Sequence, residues 1–159
     1  MAENDTPVQP RLQVVSQFIR DLSFENVAAQ KSLNASEAKP EITVNVGLDA
    51  GKLGDDLYEV KMKVNIDATA EGNKIFVLEM EYAGRFVVQN VPEAQLHPFL
   101  LIECPRMIFP YVRRIIGDVT RDGGYPPLNV DNIDFVNLYR QEVERRRAAA
   151  QSEAPTTLS

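Results

Sequence analysis

This 159-residue chain has no tryptophan, one cysteine (Cys104) and one histidine (His97). A single cysteine cannot close an intramolecular disulfide, which fits a reducing compartment. One histidine and one cysteine cannot furnish a zinc site of the usual His/Cys kind. Basic residues are outnumbered: 17 Lys and Arg stand against 23 Asp and Glu, for a formal net charge of -6. That balance argues against nucleic acid as the main partner, because phosphate binding needs a basic surface. It argues equally against simple attraction to an anionic membrane. No run of about 18 apolar residues exists, so no transmembrane helix and no direct membrane insertion are expected. The N-terminus, MAENDTPVQPRLQ, lacks the basic-then-apolar order of a secretory signal. The expected location is therefore the cytoplasm. Gly123-Gly124 and Gly51-x-x-Gly54 lack the spacing of a phosphate-binding loop.

What is present is a sharp contrast between two halves. In the first half, apolar and polar residues alternate, which marks strands with one buried face. From Leu12 the even positions Leu12, Val14, Phe18, Leu22 and Phe24 are apolar; a strand this long usually bends or bulges midway. Residues 26–40 lack periodicity and end in Pro40, which predicts a long loop. Ile42, Val44, Val46 and Leu48 form the apolar face of a second strand, and Asp49–Asp56 reads as a Gly- and Asp-rich turn. Tyr58 to Ala68 alternate through a third strand. Glu71-Gly72-Asn73-Lys74 reads as a hairpin turn, and Ile75–Val88 as a fourth strand interrupted by Gly84. Short turns between the last three strands require antiparallel pairing. Glycine inside a strand signals a bulge or a close backbone approach.

The second half supplies the cover that such a sheet needs. Leu96–Leu128 is the most apolar stretch and carries five of the ten prolines. A helix is predicted over Glu93–Glu103, broken at Cys104-Pro105, because the residue before proline avoids the helical region. A second is predicted from Pro105 to about Arg121, ended by Gly123-Gly124. A last helix is expected from about Ile133 or Asp134 to Ala149, with Asp131 and Asn132 as candidate caps. Residues 1–10 and 151–159 read as polar tails around a single domain of residues 11–150. For catalysis the candidates are few. His97, Glu103 and Cys104 could form a small active or ligand site, or could be a surface histidine and a buried cysteine. Glu79 and Glu81 project from one strand face about 7 Å apart, as an acid–base pair, a solvated face, or a docking surface for a basic partner.

At this point several motifs converge. Cys104-Pro105, Ile108-Phe109-Pro110-Tyr111, Arg113 and Arg114, then Gly124, Pro127, Leu128 and Phe135 follow one another as in the SecB protein-export chaperones. Asp21-Leu22-Ser23-Phe24-Glu25 and Asp56-x-Tyr58-Glu59-Val60 match further stretches of that family, and the resemblance is collinear over residues 11–142. It implies an α+β fold, a four-stranded antiparallel sheet with two main helices packed on one side, assembled as a homotetrameric dimer of dimers. It implies no enzymatic activity, no cofactor and no metal. Unfolded precursor proteins would bind in hydrophobic grooves and pass to the SecA ATPase. Carried over by position, Asp21, Glu25, Val77 and Glu79 would dock SecA. Phe24, Tyr111 and Tyr139 would line the client groove, with the loop after Gly51 at its edge. The chain departs from the family where NASEAKP (residues 34–40) replaces a loop with aromatic residues, and where Tyr139 replaces a phenylalanine. A SecB-like chaperone for another client, such as an antitoxin, is the alternative within the same fold.

Overall fold

The computed structural model describes residues 8–33 and 39–152. The expected tails and residues 34–38 of the expected loop lie mostly outside them. Four long strands form one antiparallel sheet: β1 (Arg11–Glu25), β2 (Glu41–Gly54), β3 (Leu57–Ala70) and β4 (Asn73–Gln89), in spatial order β1-β4-β3-β2. Three helices complete the chain: a four-residue α1 (Val27–Gln30), α2 (Glu93–Asp122) and α3 (Phe135–Ser152). The α+β class and the antiparallel sheet expected from the alternation are both present.

The strands follow the pattern that predicts them. On β3 and β4 the even residues Val60, Met62, Val64, Ile66, Leu78, Met80 and Phe86 are almost completely buried. Glu71 and Gly72 both have positive φ, 52° and 77°, the backbone of the two-residue turn that matches strand twist. At Gly84 the sheet and α2 meet closely. A Cβ there would lie 2.7 Å from the Phe86 ring of the same strand and 3.0 Å from Ile108 Cγ2 of α2, so the glycine makes room both for that ring and for the helix.

Five local expectations change. β2 continues through Gly51 to Gly54, with Leu53 as an irregularity, so the turn shrinks to Asp55-Asp56, where Asp56 has φ 58°. The expected loop at 26–40 begins with α1, capped by Asn26, whose Oδ1 accepts from Ala29 N at 3.3 Å. α2 does not break at Cys104-Pro105; Pro98, Pro105 and Pro110 all lie inside one 30-residue helix. A helix-interior proline costs about 3 kcal/mol. Each fully buried apolar side chain gains about 1.5–3 kcal/mol, and Leu101, Ile108, Val112, Ile115 and Ile116 are all buried on one side of this helix. The cap of α3 is Asp134, which accepts from Asn137 N at 3.1 Å, while Asn132 accepts a bond from Arg113. α3 also runs to Ser152 and packs on α2 rather than on the sheet, with Phe109 and Phe135 edge to face at 5.8 Å.

The remaining difference is in β1. One-residue irregularities fall at Val15 and Arg20. Each bulge shifts the strand's phase by one residue. Between them Phe18 turns to the outer face, away from α2, opposite Ala83, and Ile19 turns inward opposite Tyr82. The second bulge restores the phase, so Asp21, Ser23 and Glu25 face outward opposite Glu81, Glu79 and Val77.

The Gly84 contact sets a testable limit. Gly84→Ala should lower unfolding free energy by about 1–3 kcal/mol, the usual cost of overpacking. Urea denaturation should show this as a lower midpoint with unchanged slope; an unchanged midpoint would mean that the helix is not held at this spacing.

Candidate functional site

Two surfaces stand out, one on each side of the sheet. The first is an apolar groove on the helix side. α2 buries Leu48 of β2 but leaves Val44 of the same face 37% exposed. The connection between α2 and α3 runs past this uncovered half. It is held there by Thr120, fully buried, whose Oγ1 donates to Ile116 O at 2.8 Å and accepts from Leu128 N at 2.9 Å. Between Ile42, Val44 and Val46 on one side and Leu128–Ile133 on the other is a space of about 410 Å³. It adjoins a second space of about 580 Å³ beneath α1, whose walls include Ile75, Phe76, Tyr125 and Pro126. Ile42 and Leu128 line both. Phe76 and Tyr125 of its wall pack at a tilt, centroids 5.1 Å apart, and Phe24 packs behind Phe76 at 5.5 Å. Tyr125 OH donates to Asn26 Oδ1, and Asn26 Nδ2 donates to Gly123 O at 2.9 Å, so one side chain ties α1 to the end of α2.

Of the residues expected in a groove, Phe24 lies at this aromatic end. Tyr111 is 44% exposed on α2. It lies twelve residues before Gly123, about 18 Å along α2, whereas the Phe24 ring packs against Gly123. Tyr139 packs on His97, its OH 3.3 Å from Nδ1. Within one protomer the three therefore occupy three places. Lys52, after Gly51, pairs with Tyr58 as a strand residue. The sequence did not mark Ile42, Ile75, Phe76, Tyr125 or Leu128 as groove-lining; Pro126-Pro127 ahead of alternating Leu128 and Val130 was the available signal.

The second surface is the outer sheet face. Asp21, Glu25 and Glu79 are exposed there and Val77 half-buried. Among the described residues none of the three carboxylates makes an ion pair, whereas their neighbours do. Glu59 is buried between two arginines, with Oε1 2.6 Å from Arg20 and Oε2 3.0 Å from Arg85. Arg20 also reaches Glu81 at 3.0 Å, and Arg85 lies 5.2 Å over the Phe18 ring. Burial alone would raise the Glu59 carboxyl, but the arginine hydrogen bonds and charges outweigh it and hold the group below its ordinary 4.5.

The catalytic candidates do not converge. Cys104 is fully buried; burial, and then the charge of Glu103, push its thiol up to about 12, the reverse of an activated nucleophile. His97 is exposed and seven residues away, about 10 Å along the helix. Among the described residues no three His, Cys, Asp or Glu side chains are placed to hold a metal ion, and no helix is long and apolar enough to cross a membrane.

Comparison with known proteins decides the family. Residues 5–146 match the family model described as "Preprotein translocase subunit SecB". The chain belongs to the SecB family. A protein-export protein SecB of Dinoroseobacter shibae is 59% identical over 157 residues, covering 97% of this chain and 90% of the relative. One of Ruegeria pomeroyi is 54% identical over 161 residues, covering 96% and 97%. The fold matches a solved SecB-like chaperone of Mycobacterium tuberculosis, in complex with an antitoxin peptide, at TM-score 0.64 over 78% of this chain and 91% of that one, with 13% identity. SecB proteins are protein-export chaperones and not enzymes, as the sequence motifs imply.

The depressed Glu59 carboxyl gives a pH dependence. Its ion pairs stabilise the fold at pH above the unfolded carboxyl's titration, and this contribution is lost as pH falls through the lower, folded value. Urea midpoints measured from about pH 6 down to pH 3 should therefore fall more steeply for the natural chain than for Glu59→Gln. Parallel acid limbs would show that the two arginines do not hold this group.

Proposed function

We propose that this SecB-family chain acts in the cytoplasm as a homotetrameric holding chaperone. It binds unfolded precursor proteins in its apolar grooves, keeps them competent for translocation and delivers them to SecA without using ATP itself. The observation that carries this reading is the pairing, on one small sheet, of an open apolar groove on one face with unneutralised carboxylates on the other.

The groove suits an extended client whose apolar side chains bury while its backbone stays wet. Affinity then follows apolar area, at about 25 cal/mol per Å², with little demand on sequence. Ordering a disordered chain costs free energy, and several grooves in one assembly recover affinity through effective concentration. A surface for assembly is also at hand. Ile19 and Leu22 of edge strand β1 face the helix side and are 44% and 38% exposed, beside Met107 at 40% and Tyr111 at 44% on α2. A further copy covering this flank would place Tyr111 in an interface or at the margin of a composite groove. The proposed SecA surface is Asp21, Glu25, Glu79 and the apolar Val77, and the proposed client contacts include Phe24, Tyr111 and Tyr139.

Two substitutions separate the surfaces. Val44→Asp puts a charge into the groove and should weaken suppression of client aggregation about tenfold, leaving SecA binding intact. Glu79→Lys should abolish SecA binding and leave client holding unchanged. Unaltered SecA affinity in Glu79→Lys would remove the docking surface from the reading. Native mass spectrometry should give about four times the 17.8 kDa chain mass; a monomer would overturn the assembly.

A further inference from the structure

The outer face carries more carboxylates than it leaves free, and one side chain divides the two groups. Asp21 and Glu25 flank Ser23, and Glu79 stands opposite Ser23, so Glu79 lies on the diagonal to each, about 7–8 Å away. Glu81 stands directly opposite Asp21. Like charges in that position repel, and left alone Glu81 would add a fourth charge to the cluster. It is not left alone. The bulge at Arg20 breaks the β1 register there and the Arg20 side chain lies on the outer face. Its Nε then lies 3.0 Å from Glu81 and its Nη1 2.6 Å from Glu59. Glu59 is itself fixed from the other side by Arg85 at 3.0 Å, so the guanidinium that neutralises Glu81 is anchored to a buried group. Lys63, opposite Glu81 on β3, makes no ion pair with it among the described residues.

We infer that Arg20 is a specificity-determining residue of the outer face: by neutralising Glu81 it confines the free negative charge of the β1–β4 half of that face to Asp21, Glu25 and Glu79 beside Val77. A basic partner segment must then match a three-charge pattern with an apolar neighbour, rather than any acidic sheet surface. The arginine fork makes this division possible, because a guanidinium can hold two carboxylates at once and a lysine ammonium cannot do so with the same geometry. Arg20 acts through the carboxylates and is a positioning residue; it needs no contact with the partner. The inference rests on the docking reading proposed above.

The test compares two ligands, SecA and polylysine, on the full-length protein at low and moderate ionic strength. Arg20→Gln should bind polylysine roughly three- to fivefold tighter, the scale of one partly exposed charge pair, with a steeper salt dependence. SecA affinity should not follow, so the ratio of SecA to polylysine affinity falls by the same factor. Arg20→Gln/Glu81→Gln restores the count of free carboxylates and should return the ratio to its natural value. A merely structural role for Arg20 would not be rescued in this way. Arg20→Lys, which keeps the charge, should fall between the two and serves where Arg20→Gln folds poorly. An unchanged or rising ratio in Arg20→Gln, or no rescue by Glu81→Gln, would overturn the inference. Retained SecA binding in Glu79→Lys would instead sink the docking reading on which it stands.

Discussion

The seating of α2 on the sheet is the constraint from which the rest follows. Gly84 lets Ile108 approach β4 closely, and Leu101, Val112 and Ile116 bury along the same side of the helix. One helix is about 10 Å across, while four strands at about 4.8 Å spacing span roughly 15 Å between outer strand axes. A single helix cannot cover that width. α2 meets β2, β3 and β4, and α3 adds no cover because it rests on α2. The helix-side face is left open at two flanks, along β1 and along the Ile42–Val46 half of β2. The groove and the apolar β1 flank are thus consequences of incomplete cover, not of separate loops or cavities added to a finished core.

The outer face obeys a different rule. Among the described residues no helix covers it, so most of its charged residues stay hydrated, and the one carboxylate that is buried there, Glu59, is held by two arginines. A buried charge without such partners would be strongly destabilising. The two faces therefore respond to different conditions. Apolar burial is nearly indifferent to salt, whereas attraction between exposed charges is screened over about 8–10 Å at physiological ionic strength. An apolar groove on one face and free carboxylates on the other are therefore tuned independently of each other.

Much of this was legible in the residues. Period-two alternation determined the strands and their apolar faces, because a strand with one buried face cannot use any other pattern. Glu71-Gly72 determined a tight hairpin, because positive φ suits so few residues. The collinear motifs from Asp21 to Phe135 determined the family, and the outward placement of Asp21, Glu25, Val77 and Glu79 followed from parity. What only the tertiary structure decided falls into three kinds. Bulges at Val15 and Arg20 invert Phe18 and Ile19 without altering composition, since an extra residue changes phase and leaves no mark of its own. α2 passes through Pro105 because burial along its length outweighs a local penalty that sequence rules treat as decisive. The groove belongs to neither strand nor connection alone: Ile42 and Phe76 meet Tyr125 and Leu128 across long sequence separations, and only packing sets the gap between them.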